Sequence, residues 1–247
     1  MIIGASNPTR AFGTLLRLVD QAEATPAVIV TALGHGRSYG MTSTVLVRTL
    51  PSIVHCGLWD ALRRRPPLPT RAVVTDIGND ILYHAPVPQI VEWVAEVLLR
   101  LRRLGAEIVL TRLPVSHLDR LSTARFYFFR SLFMPLCRLS RDEVVRRAID
   151  LDTEVARLGA EFATRVVMPR TDWYGLDPLH IRRRDIDRAW HEIMDLGNVE
   201  MASLAKPSCV RCRWELLTPH ERRLFGIEQR ATQPVWRLPS GTQVSCY

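Results

Sequence analysis

The chain has 247 residues, 47% hydrophobic and 23% charged, enough to bury a sizeable core and ordinary for a soluble globular protein. No run approaches the ~18 uninterrupted apolar residues of a membrane span, and the N-terminal stretch, broken by Arg10 and Arg17, lacks the apolar segment and cleavage site of a secretory signal, so a cytoplasmic protein is expected. The net charge of +8 is almost wholly arginine, with Lys206 the one lysine; the short clusters Arg63–Arg65, Arg102–Arg103 and Arg182–Arg184 come without a nucleic-acid motif, so they read as solvated helix faces with no nucleic-acid partner.

Five scattered cysteines do not suggest a disulfide framework. Cys209 and Cys212 form a C-x-x-C, but a zinc site needs two further ligands and only His220 and Cys246 follow downstream. Free thiols are the expectation, with no metal and no cofactor.

In chain order, residues 11–23 carry Leu15, Leu16, Val19 and Ala22 at helical spacing, and Pro26 ends that helix. Residues 1–26 therefore read as an N-terminal helical extension. The β-branched run 27–33 predicts a buried strand, stopped by the glycine-rich loop Gly34-His-Gly-Arg-Ser-Tyr-Gly40, with a helix beginning near Met41. A short second strand is expected at Ser52–His55, then Cys56-Gly57, and residues 65–70 read as a proline-rich linker. The third strand, 72–76, runs into Ile77-Gly-Asn-Asp80. A helix from Pro88 to Leu104 follows, with Gly105 as its stop, and then a fourth strand at 107–111. Strand, helix and strand make a right-handed βαβ unit. Ser140-x-x-Glu143 is a capping box for a long helix, residues 164–168 predict a fifth strand, and a last helix runs from about Arg183 to Leu196.

This alternation predicts one α/β domain, residues 27–197, with a parallel sheet of about five strands in a three-layer α/β/α arrangement. Residues 198–247 read as a separate appendage with a hairpin turn at Leu238-Pro-Ser-Gly241. Ligands of such sheets sit beyond the carboxyl ends of the strands, where the loops 34–40, 77–80 and 173–180 are expected to meet. Acyl transfer needs a nucleophile, a base, a carboxylate to orient that base, and oxyanion donors. Asp177 and His180, three apart across Pro178, supply the carboxylate and base; Asn79 and the Gly57 N–H supply donors; Ser38 is the candidate nucleophile. His35, Gly36, Arg37, Trp173 and Tyr174 are candidate substrate-lining residues. The aromatic run 126–135 reads as an acyl-binding flap, as a segment touching a membrane surface, or as a helix packed into the core.

On Gly78-Asn79-Asp80, Asp177-Pro-Leu-His180 and Gly57, residues 27–196 resemble the SGNH, or GDSL-like, hydrolases. The resemblance implies a Ser-His-Asp serine hydrolase acting on small carboxylic esters, thioesters or O-acylated sugars. The oxyanion hole of that family combines the nucleophile's N–H, a glycine N–H and an asparagine side chain. The first block departs from the family's Gly-Asp-Ser. Aligning Gly34 with the family glycine puts Gly36 at the serine position, whereas aligning Gly36-Arg37-Ser38 makes Ser38 the nucleophile. The other readings are a non-catalytic binder on the same fold, with the loop 34–40 as an anion-holding nest, and a protein-interaction module. No motif specifies an oligomeric state.

Overall fold

The computed structural model describes residues 1–195 and 218–247, so Cys209 and Cys212 lie outside the described residues. The strands are β1 (Ile2–Ile3), β2 (Val28–Ala32), β3 (Ser43–Val45), β4 (Arg48–Leu50), β5 (Arg71–Val74), β6 (Glu107–Thr111), β7 (Arg165–Val167), β8 (Glu221–Leu224), β9 (Ile227–Arg230), β10 (Trp236–Arg237) and β11 (Gln243–Cys246). The helices are α1 (Ser6–Arg10), α2 (Phe12–Ala22), α3 (Leu58–Arg63), α4 (Asn79–Leu82), α5 (Val87–Arg103), α6 (Val115–Asp119), α7 (Thr123–Phe133), α8 (Arg141–Glu161) and α9 (Ile186–Met194).

The principal sheet has seven strands in the order β10-β11-β2-β1-β5-β6-β7. Neighbours from β11 to β7 are parallel, and β10 is antiparallel to β11. Side chains alternate across a strand, and both faces here are apolar. Ile3, Val30, Ala32, Val74 and Leu110 pack with Val94, Leu98 and Leu101 of α5 and with Leu151 and Val155 of α8. Ile2, Ile29, Val73 and Val244 pack on the other side with Phe12 and Leu15 of α2 and Trp190 of α9. This is a three-layer α/β/α fold, as expected. The two long helices have the expected stops and starts. Gly105 leaves the end of α5 at φ +68°, where a side chain would be strained, and Ser140 caps α8 by accepting the Glu143 N–H.

Four expectations need correction. Residues 1–26 are not an extension, because Ile2 and Ile3 form the central strand, paired to β2 on one side and β5 on the other. Residues 52–55 are a turn rather than a strand: the Ser52 hydroxyl accepts the His55 N–H at 3.2 Å and meets its ring at 2.8 Å, and the Trp59 indole takes the Ile53 carbonyl. No helix starts at Met41, because the Gly40 and Met41 N–H groups fold back on Ser38 Oγ and the chain enters β3. Gly40 is required there, since a Cβ would stand 1.9 Å from the Trp93 ring. Finally, the described part of residues 198–247 is not a separate appendage. The turn at Leu238–Gly241 joins β10 to β11, but β11 extends the main sheet along β2, and β8–β9 complete a four-stranded antiparallel sheet with β3–β4. Among the described residues no helix is long and apolar enough to cross a membrane.

The strand order positions the site. From β1 the chain moves to β2 on one side, whereas from β5 it moves to β6 on the other. Connections that leave adjacent parallel strands in opposite directions open a crevice at their carboxyl ends. That crevice lies after Ile3 and after Val74, between Ser6 and the segment Thr75–Asp80.

Candidate active site

β1 ends at Ile3, and Gly4 and Ala5 turn the chain into α1, which begins at Ser6. A Cβ on Gly4 would stand 2.7 Å from Thr75 Cγ2 and 3.0 Å from the Thr75 carbonyl oxygen, so only glycine lets this turn lie against the end of β5. Asn7 then ties three segments together. Its backbone N–H and its Nδ2 donate to the two carboxylate oxygens of Asp76 at 2.7 and 2.8 Å. Nδ2 also donates to the Leu179 carbonyl at 3.0 Å, and Oδ1 accepts the Ile181 N–H at 2.9 Å. The residue after Ser6 therefore grips the chain on both sides of His180.

The Asp177–His180 loop is ordered from within as well. Asp177 Oδ1 accepts the Leu179 and His180 N–H groups at 3.0 and 3.3 Å, while Oδ2 meets His180 Nδ1 at 2.6 Å and Arg10 of α1 at 3.5 Å. Burial pushes the Asp177 carboxyl up, but the His180 bond and charge, the Leu179 N–H and Arg10 outweigh it and hold the pKa below the ordinary value. The ionised carboxylate fixes the imidazole orientation and leaves Nε2 as the reactive nitrogen. The His180 ring is one-tenth exposed and packs edge-on against Phe133 of α7, with centroids 5.2 Å apart.

Asp76 sits at φ +57°, a conformation that aspartate tolerates better than most residues. Burial raises its pKa, against the opposing pull of the two Asn7 bonds, the nearby His180 charge and the Ala5 N–H. Asn79 opens α4, and its Nδ2 is buried without a hydrogen-bond partner among the described residues. An unpaired buried donor costs about 1–3 kcal/mol, a cost that functional sites retain for a ligand. Ser6, Asn7, Asp76, Asn79, Trp173, Tyr174, Leu179 and Ile181 all line one cavity of ≈ 120 Å³.

The other sequence-predicted residues lie elsewhere. Ser38 is fully buried, its hydroxyl donates to Asp80, and it does not line the cavity; the expectation of Ser38 as nucleophile is corrected on that ground. The Gly57 N–H is committed to Glu221 Oε1 at 2.9 Å, so it is not an available oxyanion donor. His35, Gly36 and Arg37 do not line the cavity. The Gly36 carbonyl accepts the Tyr83 hydroxyl, and the buried Arg37 donates from Nε to the Pro51 carbonyl and from Nη1 to the Leu33 and Tyr247 carbonyls, with Nη2 buried and unpartnered among the described residues. Nor is the loop 34–40 an anion nest: its Arg37, Tyr39 and Gly40 N–H groups already serve Gly34 O, Asp80 and Ser38 Oγ. The aromatic run falls mostly in α7, where Phe126 and Phe129 line the cavity while Phe128 and Leu132 are exposed, so it is not a helix packed wholly into the core. Ser6 carried no sequence assignment. The signal for it was Gly4-Ala-Ser-Asn7 directly behind the apolar Met1-Ile-Ile3.

Asp80 braces this architecture from behind, accepting the Ser38 hydroxyl and the Tyr39 N–H at 3.0 Å. Burial raises its pKa from 3.8 to about 6 in spite of those bonds. The folded state therefore binds the proton more tightly than the unfolded chain. Its contribution is present below pH ~4 and is lost as pH rises through ~6, an expected fall of about 2–3 kcal/mol. Urea unfolding of wild type and Asp80→Asn at pH 4 and pH 7 checks this. The stability difference between the two proteins should change by that amount, and a pH-independent difference would contradict it.

The comparisons with known proteins bear on the fold. A carbohydrate acetylesterase family member from Sinorhizobium meliloti superposes with a TM-score of 0.50 at 14% identity, over 78% of this chain and 99% of that one. The chain shares its fold with an acetylesterase. The psychrotrophic esterase EstA from Pseudoalteromonas sp., solved with monoethylphosphonate as inhibitor, superposes with a TM-score of 0.49 at 14% identity, over 78% and 95% of the two chains. No protein-family model matches the chain, and no curated protein matches it in sequence.

Proposed function

We propose that the chain is an ester hydrolase in which Ser6 is the nucleophile, His180 the general base and then acid, Asp177 its orienting carboxylate, and Asn79 an oxyanion donor. The observation that carries this reading is the grip of Asn7 on both peptide groups flanking His180, which ties the Asp177–His180 pair to the residue beside Ser6. In this mechanism Ser6 Oγ attacks the ester carbonyl carbon and its proton passes to His180 Nε2. Asn79 Nδ2, which has no partner among the described residues, donates to the oxyanion. The C–O bond then breaks, and the alcohol leaves with the proton from His180. Water attacks the acyl-Ser6 carbonyl and gives a proton to His180. The carboxylic acid departs as that proton returns to Ser6.

Asp76 and Asn7 are positioning residues in this scheme, acting through the loop that carries His180. The test is turnover of p-nitrophenyl acetate by wild type and His180→Ala. The expected loss in kcat is ~10³-fold or more. Equal rates in the two proteins would refute the reading.

A further inference from the structure

The cavity does not end at Ser6 and Asn79. It continues between α4, α6, α7 and α8, where Leu113, Leu121, Phe126, Val144, Val145 and Ala148 form its walls. Of the charged residues along it, Arg112 is bidentate to Asp152 at 3.1 and 2.5 Å, while Arg130 donates from Nη1 to the Leu139 carbonyl at 2.9 Å, lies over the Tyr127 ring and keeps a buried Nε without a partner among the described residues. Among the described residues the arm's side chains offer no carboxylate or amide oxygen, so the hydroxyl protons of a sugar would lack side-chain acceptors there, and the one unpartnered N–H of Arg130 could serve a single oxygen at most.

Resting on the hydrolase reading, we propose that this arm receives the acyl chain, and that the substrates are esters or thioesters of unbranched apolar acids of about six to eight carbons, not acetylated sugars. The length follows from volume. One water-sized group needs ~10–15 Å³, so ≈ 120 Å³ holds roughly eight to twelve such groups, some of them taken by the ester itself. Burying each methylene in the arm should raise kcat/KM about fourfold.

The experiment is the chain-length profile of p-nitrophenyl esters from acetyl to dodecanoyl, for wild type, Ala148→Leu and Ala148→Phe. Ala148 is buried in α8 and lines the arm, so a larger side chain there shortens it. Wild-type kcat/KM should rise on the order of a hundredfold from acetyl to hexanoyl and break near eight carbons. The hexanoyl-to-acetyl ratio should fall at least tenfold in the variants; a ratio is independent of how much of a variant folds. A profile that is flat or falls from acetyl onward overturns the acyl arm while leaving the hydrolase reading intact. If wild type hydrolyses no ester, the hydrolase reading fails and the arm is decided by binding. A Tm raised by octanoate but not by acetate supports an apolar-chain site, and equal shifts overturn it.

Discussion

Ser6→Ala is expected to lower kcat for ester hydrolysis by ~10⁴-fold or more while changing stability by less than about 1 kcal/mol. Both halves follow from its place. The hydroxyl opens α1 at the carboxyl end of the central strand, on the wall of the cavity that also holds Asn79. The cap of α1 is Ala5 rather than Ser6, so alanine keeps the backbone as it is. Ser38→Ala should behave in the opposite way. It strips a donor from the buried Asp80 and an acceptor from the Gly40 and Met41 N–H groups, so stability should drop by about 1–3 kcal/mol. Activity per folded molecule should stay near wild type. The pair of variants, read by steady-state kinetics and urea unfolding, separates a chemical serine from a structural one. If Ser38→Ala abolished turnover and Ser6→Ala did not, the assignment would be reversed.

Asn79→Ala is the second large effect. Removing one oxyanion donor costs ~10²–10³ in kcat with little change in KM, because the bond forms to charge that exists only in the transition state. Stability carries a distinctive sign. Asn79 Nδ2 is buried without a partner, so deleting it removes an unsatisfied group, and the unfolding free energy should hold or rise. A residue kept only for structure would show the reverse: loss of stability with kcat intact. Measuring kcat, KM and Tm on the same preparation distinguishes the two.

The contrast between Ser6 and Ser38 also shows what a sequence reveals. β2, β5, β6 and β7, and the helices α5 and α8, were legible because each repeats its period or carries its cap over several residues. The Asp177–His180 hydrogen bond and the place of Asn79 just beyond a strand were legible because both depend on residues close together in sequence. The central strand was not, because Ile2–Ile3 offers two residues and periodicity needs more. With β1 so short, β2 reads from sequence as the first strand, and the loop after it, with Ser38, reads as the one that carries the nucleophile. Gly57 failed for a different reason: the group that claims its N–H, Glu221, is 164 positions away and leaves no local trace. The joining of β11 to β2 is equally non-local, with Ser245 opposite Val30.

The central claim is that Ser6 is a serine activated by His180. Its most direct test is labelling of the wild-type protein with a fluorophosphonate, which bonds covalently only to a serine whose hydroxyl proton is being removed, followed by mass spectrometry of the peptides. The account predicts a single stoichiometric adduct on Ser6, abolished in both Ser6→Ala and His180→Ala. An adduct on Ser38, or no adduct on a protein that still hydrolyses esters, would contradict it.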